Sequence, residues 1–221
     1  VEARSGVSGA LMYSINGLNN GEEFGYSIAA LGDVNFDGRD DFAVGAPNAP
    51  AGLINDVCRV TIHSGLNGPI LHSIAGSGSS DRFGYDLACA GDVTGGGRDD
   101  LLVGSLFGGV KVISGASGAV VNTIGPNSPD IYGRALDPIA DLNGDGVRDF
   151  VIGATQEVFF NPGTGFVDVV SGTSGFSLFT VSGQNIGDRF GFDIAAIGDW
   201  DGDGKEDFAV SALPSSPTAN S

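Results

Sequence analysis

Phe190–Leu213 reads FGFDIAAIGDWDGDGKEDFAVSAL, and its centre decides the fold. Asp199, Asp201, Asp203 and Asp207 stand at positions 1, 3, 5 and 9 of a loop, with Gly204 at position 6. Hard carboxylate oxygens at alternate positions, a glycine for a sharp turn and a carbonyl at position 7, here that of Lys205, give the ligand spacing of a calcium loop. An EF-hand would carry a helix on each side. Here FGFDIAAI and DFAVSA are short runs rich in strand formers, so the expectation is a calcium loop closing a β-hairpin.

The same unit occurs four times. FGYSIAALGDVNFDGRDDFAVGAP begins at Phe24, FGYDLACAGDVTGGGRDDLLVGSL at Phe83, YGRALDPIADLNGDGVRDFVIGAT at Tyr132, and the fourth at Phe190. The copies are spaced by 59, 49 and 58 residues, a period that points to propellers or arrays. In each, the first loop aspartate (Asp33, Asp92, Asp141, Asp199) lies nine residues after the aromatic. A single aspartate-rich turn is commonplace; the shared register is what makes these loops specific.

Composition agrees. The chain has 221 residues, enough for an all-β domain with a sizeable core, and its 38 glycines between short apolar runs favour turns over helices. No apolar run of 18 residues occurs, so no membrane-spanning helix is expected. Val1 follows no basic-then-apolar leader, so any signal peptide is expected to have been removed. Of the 27 acidic residues, 15 fall inside the four loops, which makes the net charge of −17 local to candidate metal sites. With no basic patch to offset it, that charge argues against nucleic acid and anionic membrane as partners. Cys89 stands where the other copies have Ala30, Pro138 and Ala196, so it reads as a small core residue, and a disulfide to Cys58 is not expected.

Between the copies, Ser5-Gly6, Ser64-Gly65, Ser114-Gly115 and Ser171-Gly172 align, each with another glycine three residues on, a hairpin signal. Each full unit therefore has four strands. Residues 1–17 supply a third and fourth strand, and residues 190–213 a first and second. The expected fold is an all-β, four-bladed propeller of four antiparallel strands per blade. Residues 1–213 form a single domain, one blade is shared between the ends, and a Pro/Ser-rich tail follows at 214–221. The rival is an arc of a larger ring, or two chains joining into one. In the second strands Phe42/Val44, Leu101/Val103, Phe150/Ile152 and Phe208/Val210 should pack between blades, with small residues on the opposite face.

Phe24-Gly25, Asp-x-Asn-x-Asp-Gly at 33–38 and Gly45-Ala46-Pro47 resemble the FG-GAP repeat, the unit of the integrin alpha-subunit N-terminal β-propeller. The resemblance covers nearly the whole chain. It implies calcium on one face of the disc and ligands on the opposite face. Carried over by position, the ligands would be Asp33, Asn35, Asp37, the Arg39 carbonyl and Asp41 in the first loop. In the third they would be Asp141, Asn143, Asp145, the Val147 carbonyl and Asp149, and in the fourth Asp199, Asp201, Asp203, the Lys205 carbonyl and Asp207. The second loop, DVTGGGRDD, lacks the position-5 carboxylate, so Asp92, Thr94, the Arg98 carbonyl and Asp100 would form a weak or empty site. Gly-Ala-Pro degrades to Gly104-Ser105-Leu106, Gly153-Ala154-Thr155 and Ser211-Ala212-Leu213.

The function expected from this resemblance is a calcium-stabilised extracellular or secreted binding and adhesion module. It would be non-catalytic, hold about three structural Ca2+ ions and take a protein or glycan ligand. Phe159 and Phe160 are candidate contacts. The alternatives are a fragment of a larger secreted enzyme or lectin, and a scaffold that self-assembles through the split blade. Only His63 and His72 could serve as imidazole bases, and no H-E-x-x-H or G-x-S-x-G occurs. His63 reads as a packed strand residue, and Asp-Arg before Phe-Gly (Asp81-Arg82, Asp188-Arg189) as an inter-loop ion pair.

Overall fold

The computed structural model describes residues 1–48, 58–78, 81–125, 131–156 and 163–213; Phe159, Phe160 and the 214–221 tail lie outside the described residues. Those residues hold sixteen strands and no helix. The first pair, β1 (Glu2–Arg4) and β2 (Leu11–Ser14), is a two-stranded sheet. The first blade is β3 (Ile28–Ala30), β4 (Phe42–Ala46), β5 (Arg59–His63) and β6 (Ile70–Ala75). The second is β7 (Leu87–Gly91), β8 (Asp100–Ser105), β9 (Gly109–Ile113) and β10 (Val120–Ile124). The third is β11 (Tyr132–Ile139), β12 (Asp149–Ala154), β13 (Phe166–Val170) and β14 (Ser177–Ser182), and a last pair is β15 (Ile194–Gly198) and β16 (Asp207–Val210). Within each sheet the strands form an antiparallel meander in sequence order, and one isolated parallel bridge joins Gly165 to Phe190. The strand inventory fits four blades of four.

Two expectations change. The ends do not share one sheet: β1–β2 and β15–β16 are separate two-stranded sheets, and among the described residues no ladder joins β16 to β1. The reason is where each pair docks. Tyr13 Oη donates to the Gly65 carbonyl at 3.2 Å, which holds β1–β2 on the first blade, while β15–β16 packs on the third. The first strands also begin later than Phe24, Phe83 and Phe190. Glu23, Arg82 and Arg189 take positive φ, as do Gly25, Gly84 and Gly191, so the chain turns before it extends.

The cores lie between blades, and strand alternation decides them. Leu101 and Val103 of β8 pack on Ala43 of β4, Phe150 and Ile152 of β12 on Leu102 of β8, and Phe208 and Val210 of β16 on Val151 of β12. One face of each sheet thus carries the large residues and meets a smaller face on the blade before. The backbones come close enough that a Cβ at Gly104 would sit 2.2 Å from the Gly133 carbonyl oxygen; the same holds for Gly153 against Gly191, and Gly45 meets Gly84 at 2.3 Å. This contact requires the Gly of the aromatic-Gly turn and the Gly in the second strand of the preceding blade together.

Candidate metal loops and the blade junctions

Each loop lies between the first and second strands and is folded by its own carboxylates. The position-1 aspartate accepts backbone N–H groups from across the turn: Gly38 to Asp33 at 2.7 Å, Gly97 to Asp92 at 2.7 Å, Gly146 to Asp141 at 2.7 Å and Gly204 to Asp199 at 3.0 Å. Gly38, Gly97, Gly146 and Gly204 all have φ between 74° and 90°, which explains glycine at position 6. Position 4 is left-handed as well. Gly95, Gly144 and Gly202 fill it, whereas Phe36 adopts φ 62° with the Arg98 guanidinium 4.3 Å from its ring centroid. The sequence reading did not anticipate that second requirement.

The position-9 aspartate is a fastener. One oxygen accepts from the position-2 N–H: Val34 to Asp41 at 2.9 Å, Val93 to Asp100 at 3.1 Å, Leu142 to Asp149 at 2.8 Å and Trp200 to Asp207 at 2.8 Å. In the three complete blades the other oxygen accepts the glycine N–H of the Ser-Gly turn: Gly65 at 3.0 Å, Gly115 at 3.1 Å and Gly172 at 3.1 Å. Asp41, Asp100 and Asp149 are consequently buried. Desolvation raises the carboxyl pKa of Asp41 despite those two donors. The serine of the turn reaches position 5: Ser64 donates to Asp37 at 2.6 Å and Ser171 to Asp145 at 3.3 Å. The Ser64 hydroxyl is the main cause that keeps the Asp37 pKa low; for Asp145 it is the Val147 N–H.

Which loops could hold a divalent cation follows from oxygen convergence. Asp33, Asp37 and Asp41 each bring a carboxylate oxygen within 4.8 Å of the others, and so do Asp199, Asp201 and Asp207. Hard oxygen donors in a glycine-bent loop suit calcium. Asp203 is outside the fourth group; its Oδ1 accepts from Lys205 N at 2.8 Å, as Asp37 Oδ1 does from Arg39 N at 3.0 Å. Asp141, Asp145 and Asp149 do not converge this way. The second loop has only Asp92 and Asp100 of the expected carboxylates, yet keeps its shape because positions 1 and 9 carry the folding bonds.

Positions 7 and 8 do something the sequence reading did not assign: they cross to the preceding blade. Asp99 accepts from Gly32 N at 3.0 Å, and Glu206 from Ala140 N at 2.6 Å. Lys205 Nζ donates to the Leu142 carbonyl at 3.1 Å, as Arg98 reaches Phe36. Their signal was present as charged residues just before each second strand.

At the other end of the first strands, the Phe-Gly turns gather around a cleft lined by Tyr26, Tyr85, Asp86, Arg134, Phe192 and Asp193. The Arg134 guanidinium stacks 4.0 Å from the Phe192 ring centroid and 5.2 Å from that of Tyr85. Asp86 accepts from Leu136 N at 2.8 Å and Leu87 N at 2.9 Å, and burial pushes its pKa up to about 6. His63 is buried, stacked on Phe42 at 5.5 Å. Its Nδ1 lies 2.9 Å from the Gly68 carbonyl and its Nε2 2.9 Å from Thr61 Oγ1, so Nδ1 donates and Nε2 accepts. Arg82 pairs with Glu23 at 3.4 Å, an ion pair between neighbouring Phe-Gly turns. Cys58 and Cys89 are not joined in a disulfide, and the buried Cys58 thiol donates to the Pro47 carbonyl at 3.0 Å.

Comparison with known proteins agrees with this geometry. The FG-GAP repeat family matches residues 24–56 and 132–177. Integrin alpha-5 of Xenopus laevis is 29% identical over 167 residues, covering 65% of this chain and 16% of its own length. Integrin alpha-PS2 of Drosophila melanogaster is 29% identical over 229 residues, covering 90% of this chain and 16% of its own length. Integrin alpha-V of Gallus gallus is 29% identical over 188 residues, covering 85% and 14%. The chain therefore spans about a sixth of the length of these relatives. Among solved structures, the computationally designed Ika4 protein superposes with a TM-score of 0.49 at 17% identity, covering 85% of this chain and 90% of that one. With its four aligned loops and glycine-packed junctions, the chain carries FG-GAP repeats at residues 24–56 and 132–177 and is similar to the integrin alpha-subunit propeller.

Proposed function

We propose that this chain is a calcium-stabilised, extracellular binding module of adhesion type. The observation that carries the metal part is the pair of carboxylate triads, Asp33/Asp37/Asp41 and Asp199/Asp201/Asp207, each within 4.8 Å. Three like charges at that spacing repel by about 1 kcal/mol per pair even in water-like dielectric, and a bound Ca2+ turns the repulsion into a cross-link between the two strands of a hairpin. Loops of this kind fill where calcium is millimolar, outside cells, in keeping with the similarity to integrin alpha subunits. The third loop is a further site of the same kind if calcium draws Asp145 and Asp149 inward; the second is weak or empty.

A protein or glycan ligand is expected on the face away from the metal loops, where Tyr26, Tyr85 and Phe192 offer ring faces beside Arg134. Phe159 and Phe160 remain proposed contacts. The module is read as non-catalytic, since His63 is committed to Gly68 and Thr61. Calcium titration by calorimetry, paired with melting in excess chelator, tests the metal reading. Two or three sites and a lower melting temperature without metal are expected; no binding heat and an unchanged melt would overturn it.

A further inference from the structure

The third and fourth loops share one hydrogen-bond pattern and differ in chemistry at position 3. Gly144 N–H donates to Asp141 Oδ1 at 2.6 Å, and Gly202 N–H to Asp199 Oδ1 at 2.8 Å. Asn143 Oδ1 accepts from Asp145 N–H at 2.9 Å, and Asp201 Oδ1 from Asp203 N–H at 3.0 Å. One loop thus holds an amide where the other holds a carboxylate. That amide stands in an Asn-Gly step, where the absence of a Cβ leaves the following backbone nitrogen free to attack the side chain before it. Asn143 and Gly144 are both exposed, and a Cβ built on Gly144 would meet nothing within 4 Å. The chain has three other Asn-Gly steps, at Asn16, Asn20 and Asn67. Among the described residues none of their glycine nitrogens donates to a carboxylate; Gly68 N–H goes to the Ser64 carbonyl.

We infer that Asn143 is a self-deamidating residue, its reaction assisted by the Asp141 carboxylate and the Asp145 N–H. Gly144 N attacks Asn143 Cγ, and the proton it sheds passes to Asp141, 2.6 Å away. The charge that develops on Asn143 Oδ1 meets the Asp145 N–H, already 2.9 Å from it. The new Cγ–N bond closes a five-membered imide, the Cγ–Nδ2 bond breaks, and ammonia leaves with the proton from Asp141. Water then opens the imide at either carbonyl and leaves aspartate or isoaspartate at position 143. One water is consumed and one ammonia released, with no oxidation or reduction. Lys205 of the neighbouring loop steadies the chain just before this site, donating to the Asp141 and Leu142 carbonyls at 3.4 and 3.1 Å.

Two other loops separate the requirements. Asp201-Gly202 has the same bonds, but an ionised carboxylate has no ammonia to lose. Asn35 has the amide but precedes Phe36, whose side chain crowds the nitrogen, and Asp33 accepts from Asp37 and Gly38. The third loop alone combines amide, glycine and base. Aspartate at 143 would give it the D-x-D-x-D-G of the fourth loop, where Asp201 belongs to the converging carboxylates; isoaspartate would lengthen the backbone and spoil the turn. The amide chemistry stands without metal, whereas its control by metal rests on the calcium reading above. An ion held by Asp141 and Asn143 Oδ1 occupies the base and fixes the amide, so the empty loop ages and the filled loop is spared.

Peptide mapping by mass spectrometry, on the full chain aged in warm neutral buffer with excess chelator, tests this. Asn143 should convert faster than Asn16, Asn20 and Asn67. It should also convert about tenfold faster in the native chain than in the same chain unfolded in guanidinium chloride, less than a dedicated base gives because Asp141 also serves Asp145 and Gly146. Gly144→Phe, which copies Asn35-Phe36, should slow it by on the order of tenfold. A native rate no higher than the unfolded one, or no higher than at the other three Asn-Gly steps, would overturn the proposal. Millimolar calcium should suppress the conversion; an equal rate with and without calcium would count against a metal site in the third loop and leave the amide chemistry standing.

Discussion

Glu206 accepts a hydrogen bond from the backbone N–H of Ala140 at 2.6 Å, across 66 residues of sequence and one blade junction. The residue reads as a bystander at position 8 of a metal loop, and it is a strut between blades. Glu206→Ala should leave calcium stoichiometry unaltered and cost about 1.5–3 kcal/mol, the range for a bond to a charged acceptor. Glu206→Gln, which keeps an acceptor oxygen, should cost less. Denaturant unfolding midpoints measure both, and equal stability of all three proteins would count against the strut.

Asp33 folds its loop through Asp37 and Gly38 and belongs to a carboxylate triad. Asp33→Asn should therefore lower both calcium affinity at that loop and the melting temperature. Asp203→Asn should weaken affinity less, because Asp203 stands outside the convergent group. Isothermal titration with each variant ranks them. A larger loss at Asp203 would mean that calcium pulls that side chain inward.

Asp86 supplies a pH signature. Its pKa is raised to about 6 in the folded chain, chiefly by desolvation. A raised carboxyl pKa favours the protonated folded form, so its contribution is complete below the unfolded value near 4 and is lost as pH climbs through about 6. Asp86→Asn should remove that slope, with the variant gaining relative to wild type as pH rises from 4 to 7. Parallel unfolding curves at the two pH values, with no relative gain, would contradict this.

Gly104 meets the next blade so closely that a Cβ would sit 2.2 Å from the Gly133 carbonyl oxygen. The obstacle is backbone, which cannot swing away as a side chain would. Gly104→Ala should destabilise by roughly 1–3 kcal/mol, the usual cost of overpacking, and broaden the unfolding transition if the second and third blades separate. Calorimetry would detect either effect, and a wild-type melt would show that the junction opens freely.

Much of this architecture was legible because repeats supply internal controls. Four aligned loops fixed the register, alternation in the second strands placed Leu101, Phe150 and Phe208 at the junctions, and Ser-Gly pairs marked the third-to-fourth turns. What escaped were relations beyond a single loop. Spacing within a loop cannot tell that Asp99 and Glu206 bond to another blade, nor that Asp41 and Asp149 are held by Gly65 and Gly172. The start of the first strands was misplaced because aromatic residues favour strands, whereas Gly191 at φ 85° after Arg189 at φ 52° bends the backbone. Shared-sheet closure was inferred from strand number alone, and number does not decide where each two-stranded sheet docks.

The struts at position 8 are not alike. Where Asp99 and Glu206 present acids to a backbone N–H, the third repeat has Arg148, its Cδ 3.6 Å from the position a Cβ of Gly91 would take. Repeats that look like spare parts are therefore keyed to their neighbours: a second copy of the third in place of the fourth would set a cation against Ala140 N, which donates and cannot accept. Duplication made the units similar, and the seams between them give each a fixed address.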